Sequence, residues 1–243
     1  MLRQALRRAV KLGLAQTNVT DDVDAPRPEK RQATVLTLEQ TQTLFASTQD
    51  DPRHVLYVTL ITTGLRIGEA LGLSWGDVDL GSAVPTVRIT RSLQRQTGKG
   101  LVFIQPKTDA GRRTIVLTQL AVEALRRHRT RQIEHRLQLA DLWEDHELVF
   151  CTDFGKPLDP MNTYHAFHKA LKNAGLPTIR QHDMRHTAAT LMLAEGVHVK
   201  VVSEMLGHSN INLTQSTYQH VLPTMQREAA DRLDAAFKRA KSA

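Results

Sequence analysis

Tyr218 lies in Thr214-Gln215-Ser216-Thr217-Tyr218-Gln219-His220, and three basic fragments that suit a single phosphate precede it. They are Thr63-Gly64-Leu65-Arg66-Ile67-Gly68-Glu69, His182-Asp183-Met184-Arg185-His186 and Leu206-Gly207-His208-Ser209. A tyrosine hydroxyl is a poor nucleophile at neutral pH. It gains reactivity where cations surround the anionic group it attacks. Arg66 and Arg185 can each fork onto two phosphate oxygens and keep their proton at any physiological pH. His182 and His208 add groups that exchange protons near neutrality. Glu69, three residues after Arg66, reads as a buttress for an arginine, because an unpaired carboxylate would repel a phosphate. The plain alternative for Tyr218 is a packed helix tyrosine. Of the other two tyrosines, Tyr57 sits in an apolar run and Tyr164 lies outside any motif.

These motifs, in this order from about Leu36 to about Leu222, resemble the tyrosine recombinases, also called the phage integrase family. Thr-Gly-Leu-Arg-Ile-Gly-Glu matches the site of the family's first catalytic arginine, Arg66. The His182-x-x-Arg185 box, His208 after Gly207, and Tyr218 follow as in the family. Lys107, in Gln105-Pro106-Lys107-Thr108, resembles the family's lysine on a β-turn. An ammonium there can protonate a leaving alkoxide. Lys99, in the neighbouring turn, competes for that role, and a solvated turn lysine is the bland alternative. Lys99, Arg112 and Arg113 are further candidates for DNA contact. His186 reads as structural. His182 and His186 have the i, i+4 spacing of a zinc pair, but the His-Glu-x-x-His glutamate is missing and cysteine support is lacking, so no metal is expected.

The elements that must carry these groups can be read from periodicity. Residues 2–14 form a helical pattern with Leu2, Ala5, Leu6, Ala9 and Val10 on one face and arginines opposite. Residues 15–35 turn polar, with Asp21-Asp22 and Pro26-Arg27-Pro28, and read as a linker. Thr37 and Gln40 have capping-box spacing ahead of a helix to about Ser47. A second helix is expected over 52–63, ended by Gly64, and a short third over 65–71. Strand-like runs at 86–90, 101–104 and 113–117 predict a small antiparallel three-stranded sheet, with a turn at 96–100 between the first two. Residues 118–139 predict a long basic helix. From 160 onward the chain reads as helical, broken near Gly175, Gly196 and Gly207. Residues 225–240 form an amphipathic pattern with Leu233 and Phe237 on one face.

Bulk properties agree with a DNA partner. The 243 residues are 41% hydrophobic, enough for one large domain and a small appendage. The net charge of +7 and a pI near 9.8 favour a polyanion. Aromatics are 5%, too few for single-strand binding by base stacking. The single cysteine, Cys151, excludes an intrachain disulfide and suits a reducing compartment. The apolar run 55–61 is too short to span a bilayer.

The resemblance implies a mainly α catalytic domain over 31–243, preceded by a remnant of a core-binding domain over 1–30. It implies site-specific cutting and rejoining of double-stranded DNA through a 3′-phosphotyrosyl intermediate, without cofactor. A homotetramer on two DNA sites, monomeric in solution, and a bacterial or phage-encoded protein of the cytoplasm follow from the same resemblance. Two rivals stand. Residues 188–219 also scan as a helix-turn-helix, which would make a non-catalytic DNA-binding regulator. The chain would otherwise be a catalytic-domain fragment that binds DNA without turnover.

Overall fold

The computed structural model describes residues 2–24, 34–106 and 111–207. Lys107, His208 and Tyr218, the amphipathic run at 225–240 and Pro26-Arg27-Pro28 lie outside the described residues. The chain divides into two compact units, 1–33 and 34–243.

In the first unit, α1 spans Leu2–Lys11, three residues shorter than the periodicity reads. None of its residues is buried. Arg3 folds onto the following loop. Its Nε donates to the Thr20 carbonyl at 3.1 Å and lies 3.4 Å from the Asp21 carboxylate.

In the second unit, α2 (Leu38–Ser47) starts at the expected capping box. The Thr37 hydroxyl accepts from the Gln40 amide at 3.2 Å, and the Gln40 side chain accepts from the Thr37 amide at 3.0 Å. α3 (His54–Thr63) buries eight of its ten residues. A helix apolar all round belongs inside a core, and α3 packs against both α7 (Asp183–Ala194) and α5 (Gln119–Leu139). Its Tyr57 ring sits 5.6 Å from Phe167 of α6 (Pro160–Asn173). Gly64 closes α3 at φ +67, a left-handed conformation that glycine takes without a Cβ penalty. α4 (Ile67–Leu71) begins three residues later, with Arg66 at its N-cap.

The β structure differs from the expected sheet in membership. β2 (Thr86–Ile89) pairs with β5 (Arg113–Val116) as read, with Val87 opposite Ile115. The third member is β1 (Val78–Asp79), and the order is β1-β2-β5, all antiparallel. The run at 101–104 leaves that sheet. As β4 (Gly100–Ile104) it pairs with β3 (Ser92–Gln96) in a separate two-stranded ribbon. The turn near 96–100 therefore joins β3 to β4 and not β2 to β4. Ser92-Leu93-Gln94-Arg95-Gln96 lacks β-branched and aromatic residues, so its strand comes from ladder hydrogen bonds and the burial of Leu93.

α5 runs over the expected span, from a Thr118 cap. Only Ala121, Val122, Ala124 and Leu125 of it are buried, and its later turns carry the arginines outward. α7 is followed by α8 (Val199–Leu206), which stops at Gly207.

Candidate active site

Arg66 stands where α4 begins, with extended backbone dihedrals. Its Nη1 donates to Glu69 Oε1 at 2.8 Å, and its backbone amide donates to Glu69 Oε2 at 3.0 Å. Nearly half of the Arg66 side chain, 44%, stays exposed. Glu69, three residues on, therefore bonds both the side chain and the backbone of Arg66. Burial opposes its ionisation, but Arg113 first and then Arg66 outweigh that effect and hold its pKa below the ordinary carboxylate value.

Arg113 departs from the surface cation expected of a DNA contact. Its side chain is 8% exposed. Its Nη1 and Nη2 fork onto Glu69 at 3.2 and 2.8 Å, and its Nε donates to the Met205 carbonyl at 2.6 Å. Strand alternation gives the physical reason. Arg113 shares a face with Ile115 and Leu117, which are both buried. Arg112 faces outward and reaches Gln105 at 3.3 Å. Arg88, Thr90, Gln105, Arg112, Arg113 and Thr114 line an open depression of about 530 Å³. Its polar, cationic lining suits a phosphate, and Arg88 is a member that the sequence reading missed. Lys99 is exposed at the tip of the β3–β4 ribbon.

Arg185, on the first turn of α7, is 4% exposed. Its Nη1 donates to the Gly64 carbonyl at 2.8 Å, two residues before Arg66. Its Nη2 donates to the Leu206 carbonyl at 2.6 Å, two residues before His208. The turn at Gly64, ahead of Arg66, and the end of α8 at Leu206 are therefore both fastened to α7 by one guanidinium. His182 caps α7, with its ring 5.2 Å from that of His186 in an edge arrangement. One side of His182 is open to solvent. Packing on the other side, and next the Arg185 charge, lower its pKa below 6.5. Burial and then His182 do the same to His186. Among the described residues, no group of three or more His, Cys, Asp or Glu side chains is arranged to hold a metal ion.

Tyr57 is fully buried, and among the described residues its hydroxyl has no hydrogen-bond partner. Burial raises its pKa far from the range of a usable nucleophile. Tyr164 lies on α6, its ring 4.2 Å from His168. The α7–turn–α8 pair has a helix-turn-helix outline, but α7 buries seven of its twelve residues and packs on α3.

The chain belongs to the phage integrase family, whose family model matches residues 34–225. Among curated relatives, it is 30% identical to an integrase of Saccharopolyspora erythraea, over 97% of this chain and 65% of that protein. It is 36% identical to a XerC-like tyrosine recombinase of Caldanaerobacter subterraneus, over 75% of this chain and 49% of that protein. The chain thus spans about half to two thirds of the length of these relatives. Among solved structures, the fold resembles the Tn1549 transposon integrase in complex with transposon right end DNA. That match has a TM-score of 0.75 and 24% identity, over 96% of this chain and 76% of that one. It also resembles a lambda integrase dimer bound to a core site, with a TM-score of 0.57 and 17% identity, over 89% and 56% of the two chains. Among the described residues, no helix is long and apolar enough to cross a membrane.

Proposed function

We propose that the chain is the catalytic part of a site-specific DNA recombinase. The observation that carries this reading is the Arg185 staple, which ties the segment bearing Arg66 to the segment leading to His208. The Tyr218 hydroxyl attacks the scissile phosphorus and forms a phosphotyrosine at the 3′ side, while the bond to the 5′-oxygen breaks. Arg66, Arg185 and His208 neutralise the non-bridging oxygens, whose charge grows in the transition state. His182 receives the tyrosine proton, and Lys107 gives one to the departing 5′-oxygen. The phosphotyrosine conserves the energy of the phosphodiester, so resealing needs no nucleotide. Arg88, Arg112 and Lys99 hold flanking phosphates. Double-stranded DNA brings four copies together on two sites. The unit holding α1 forms the end of a preceding core-binding domain, and the rest from about residue 31 is catalytic. The DNA-bound state of the Tn1549 and lambda integrases supports this reading.

The test uses nicked duplexes with a randomised central sequence, from which covalent adducts are captured on a denaturing gel and sequenced. The wild-type chain is expected to give adducts, including in excess chelator. Tyr218→Phe is expected to bind the selected duplex and give none. Adducts that survive Tyr218→Phe but vanish with Tyr57→Phe would overturn the assignment.

A further inference from the structure

We propose that Arg113 is a positioning residue that keeps the charge of Arg66 available to the phosphate and fixes where the chain leaves α8. The proposal rests on the reading of Arg66 as a phosphate-binding arginine.

The first argument is electrostatic. Glu69 and Arg66 alone form a neutral pair. A buried carboxylate with only Arg66 to face would hold that guanidinium closely and cancel its charge. Arg113 supplies a second cation to the same carboxylate. Each Glu69 oxygen then accepts one bond from Arg66 and one from Arg113. The cluster of two guanidiniums and one carboxylate carries a net positive charge, and its exposed side is Arg66. Arg113 is 8% exposed and has its guanidinium forked onto Glu69. It acts through Glu69.

The second argument concerns the end of α8. The last carbonyls of a helix have no partner within it and carry partial negative charge. Two of them are taken by arginines here. Arg113 Nε binds the Met205 carbonyl, and Arg185 binds the Leu206 carbonyl. The next residues are Gly207 and His208, on the way to Tyr218. Arg113 also opens β5, directly after the segment that holds Lys107. One side chain therefore ties together α4, β5 and the exit from α8.

The test compares the wild type with Arg113→Gln on the duplex selected above. One substrate carries the ordinary scissile phosphate, and the other a methylphosphonate, in which a neutral methyl replaces one charged oxygen. The Gln variant is expected to bind both duplexes within about twofold of wild type. Its single-turnover adduct formation should fall about 100-fold on the phosphate, the size of effect that a misplaced site produces. On the methylphosphonate, which needs less cationic help, the loss should shrink to less than about tenfold. Glu69→Gln added to Arg113→Gln should restore part of the rate on the phosphate by removing the unmatched charge. Arg113→Lys keeps one cation without the fork and should fall between, and it carries the same comparison if the Gln variant does not fold. Equal losses on both substrates, or no loss, would overturn the proposal. Hydrogen exchange reads the α8 tie without DNA. Amides at the end of α8 should exchange faster in Arg113→Gln while those of α3 do not, and unchanged exchange would also count against it. If the wild type gives no adduct on any duplex, the recombinase reading fails, and the exchange result still decides whether Arg113 holds α8.

Discussion

At the residue scale, the site depends on how each charge is held. Arg66 is half open, Arg185 is buried on two carbonyls, and Arg113 is spent inside. The histidine next to them feels these cations. Partial burial and the Arg185 charge lower the His182 pKa, so the imidazole stays neutral to lower pH than a free one. A base must be neutral to accept the tyrosine proton. The rate of adduct formation is therefore expected to fall on the acid side, with a midpoint below 6.5, and to stay level through neutral pH. His182→Ala should remove that limb and slow the step by about 100-fold or more. Single-turnover cleavage across about pH 5 to 8 measures both. A limb that persists in His182→Ala and disappears in His186→Ala would move the role to the second histidine, whose pKa is lowered as well.

At the scale of elements, α4 is held against β3 by the absence of a side chain. A Cβ on Gly68 would lie 2.6 Å from the Ser92 hydroxyl and 2.7 Å from the Leu93 carbonyl. The second of these is backbone and cannot turn away. In an open helix, glycine to alanine stabilises by about 1 kcal/mol. Gly68→Ala should instead destabilise by about 1–3 kcal/mol, as overpacking does, because α4 or β3 must shift. Urea unfolding gives the sign, and a more stable variant would show that the close approach is not required. Such approaches are hard to read in a sequence, whereas caps and periods are legible. Thr37 and Gln40 gave the start of α2, and the 118–139 pattern gave α5 to within a residue. The sheet was only half legible. β2 and β5 are rich in β-branched residues, but β3 is polar, and its pairing with β4 is a tertiary outcome that local propensity does not encode. Glu69 was readable as a buttress from its spacing to Arg66. Arg113 carries a signal in the sequence: alternation with Ile115 and Leu117 places it inward, and an inward arginine needs a carboxylate. That this carboxylate is Glu69, 44 residues away, appears only in the fold.

At the scale of the whole molecule, the proposed function makes the excess of 32 basic over 25 acidic residues a matter of DNA affinity. Affinity from phosphate contacts falls with salt, because each neutralised phosphate releases counterions. The slope of log K against log salt is about 0.9 per phosphate. The described cations suited to this work sit on the second unit, with Arg88 and Arg112 beside the open depression and Lys99 on the ribbon. The Saccharopolyspora erythraea integrase, of which the match covers 65%, serves as the longer comparison. The chain is expected to bind its selected duplex weakly, to discriminate little against scrambled DNA, and to show a shallower salt slope than that relative. Arg88→Gln and Arg112→Gln should each weaken binding to both duplexes alike and reduce the slope by about one. In the absence of DNA it should remain monomeric. Titrations of labelled selected and scrambled duplexes across a salt series, with sedimentation of the free protein, measure all of these. Tight and site-selective binding, with a slope equal to that of the longer relative, would locate recognition within these 243 residues. The substitutions at Arg88 and Arg112 would then be expected to erase selectivity and not merely affinity.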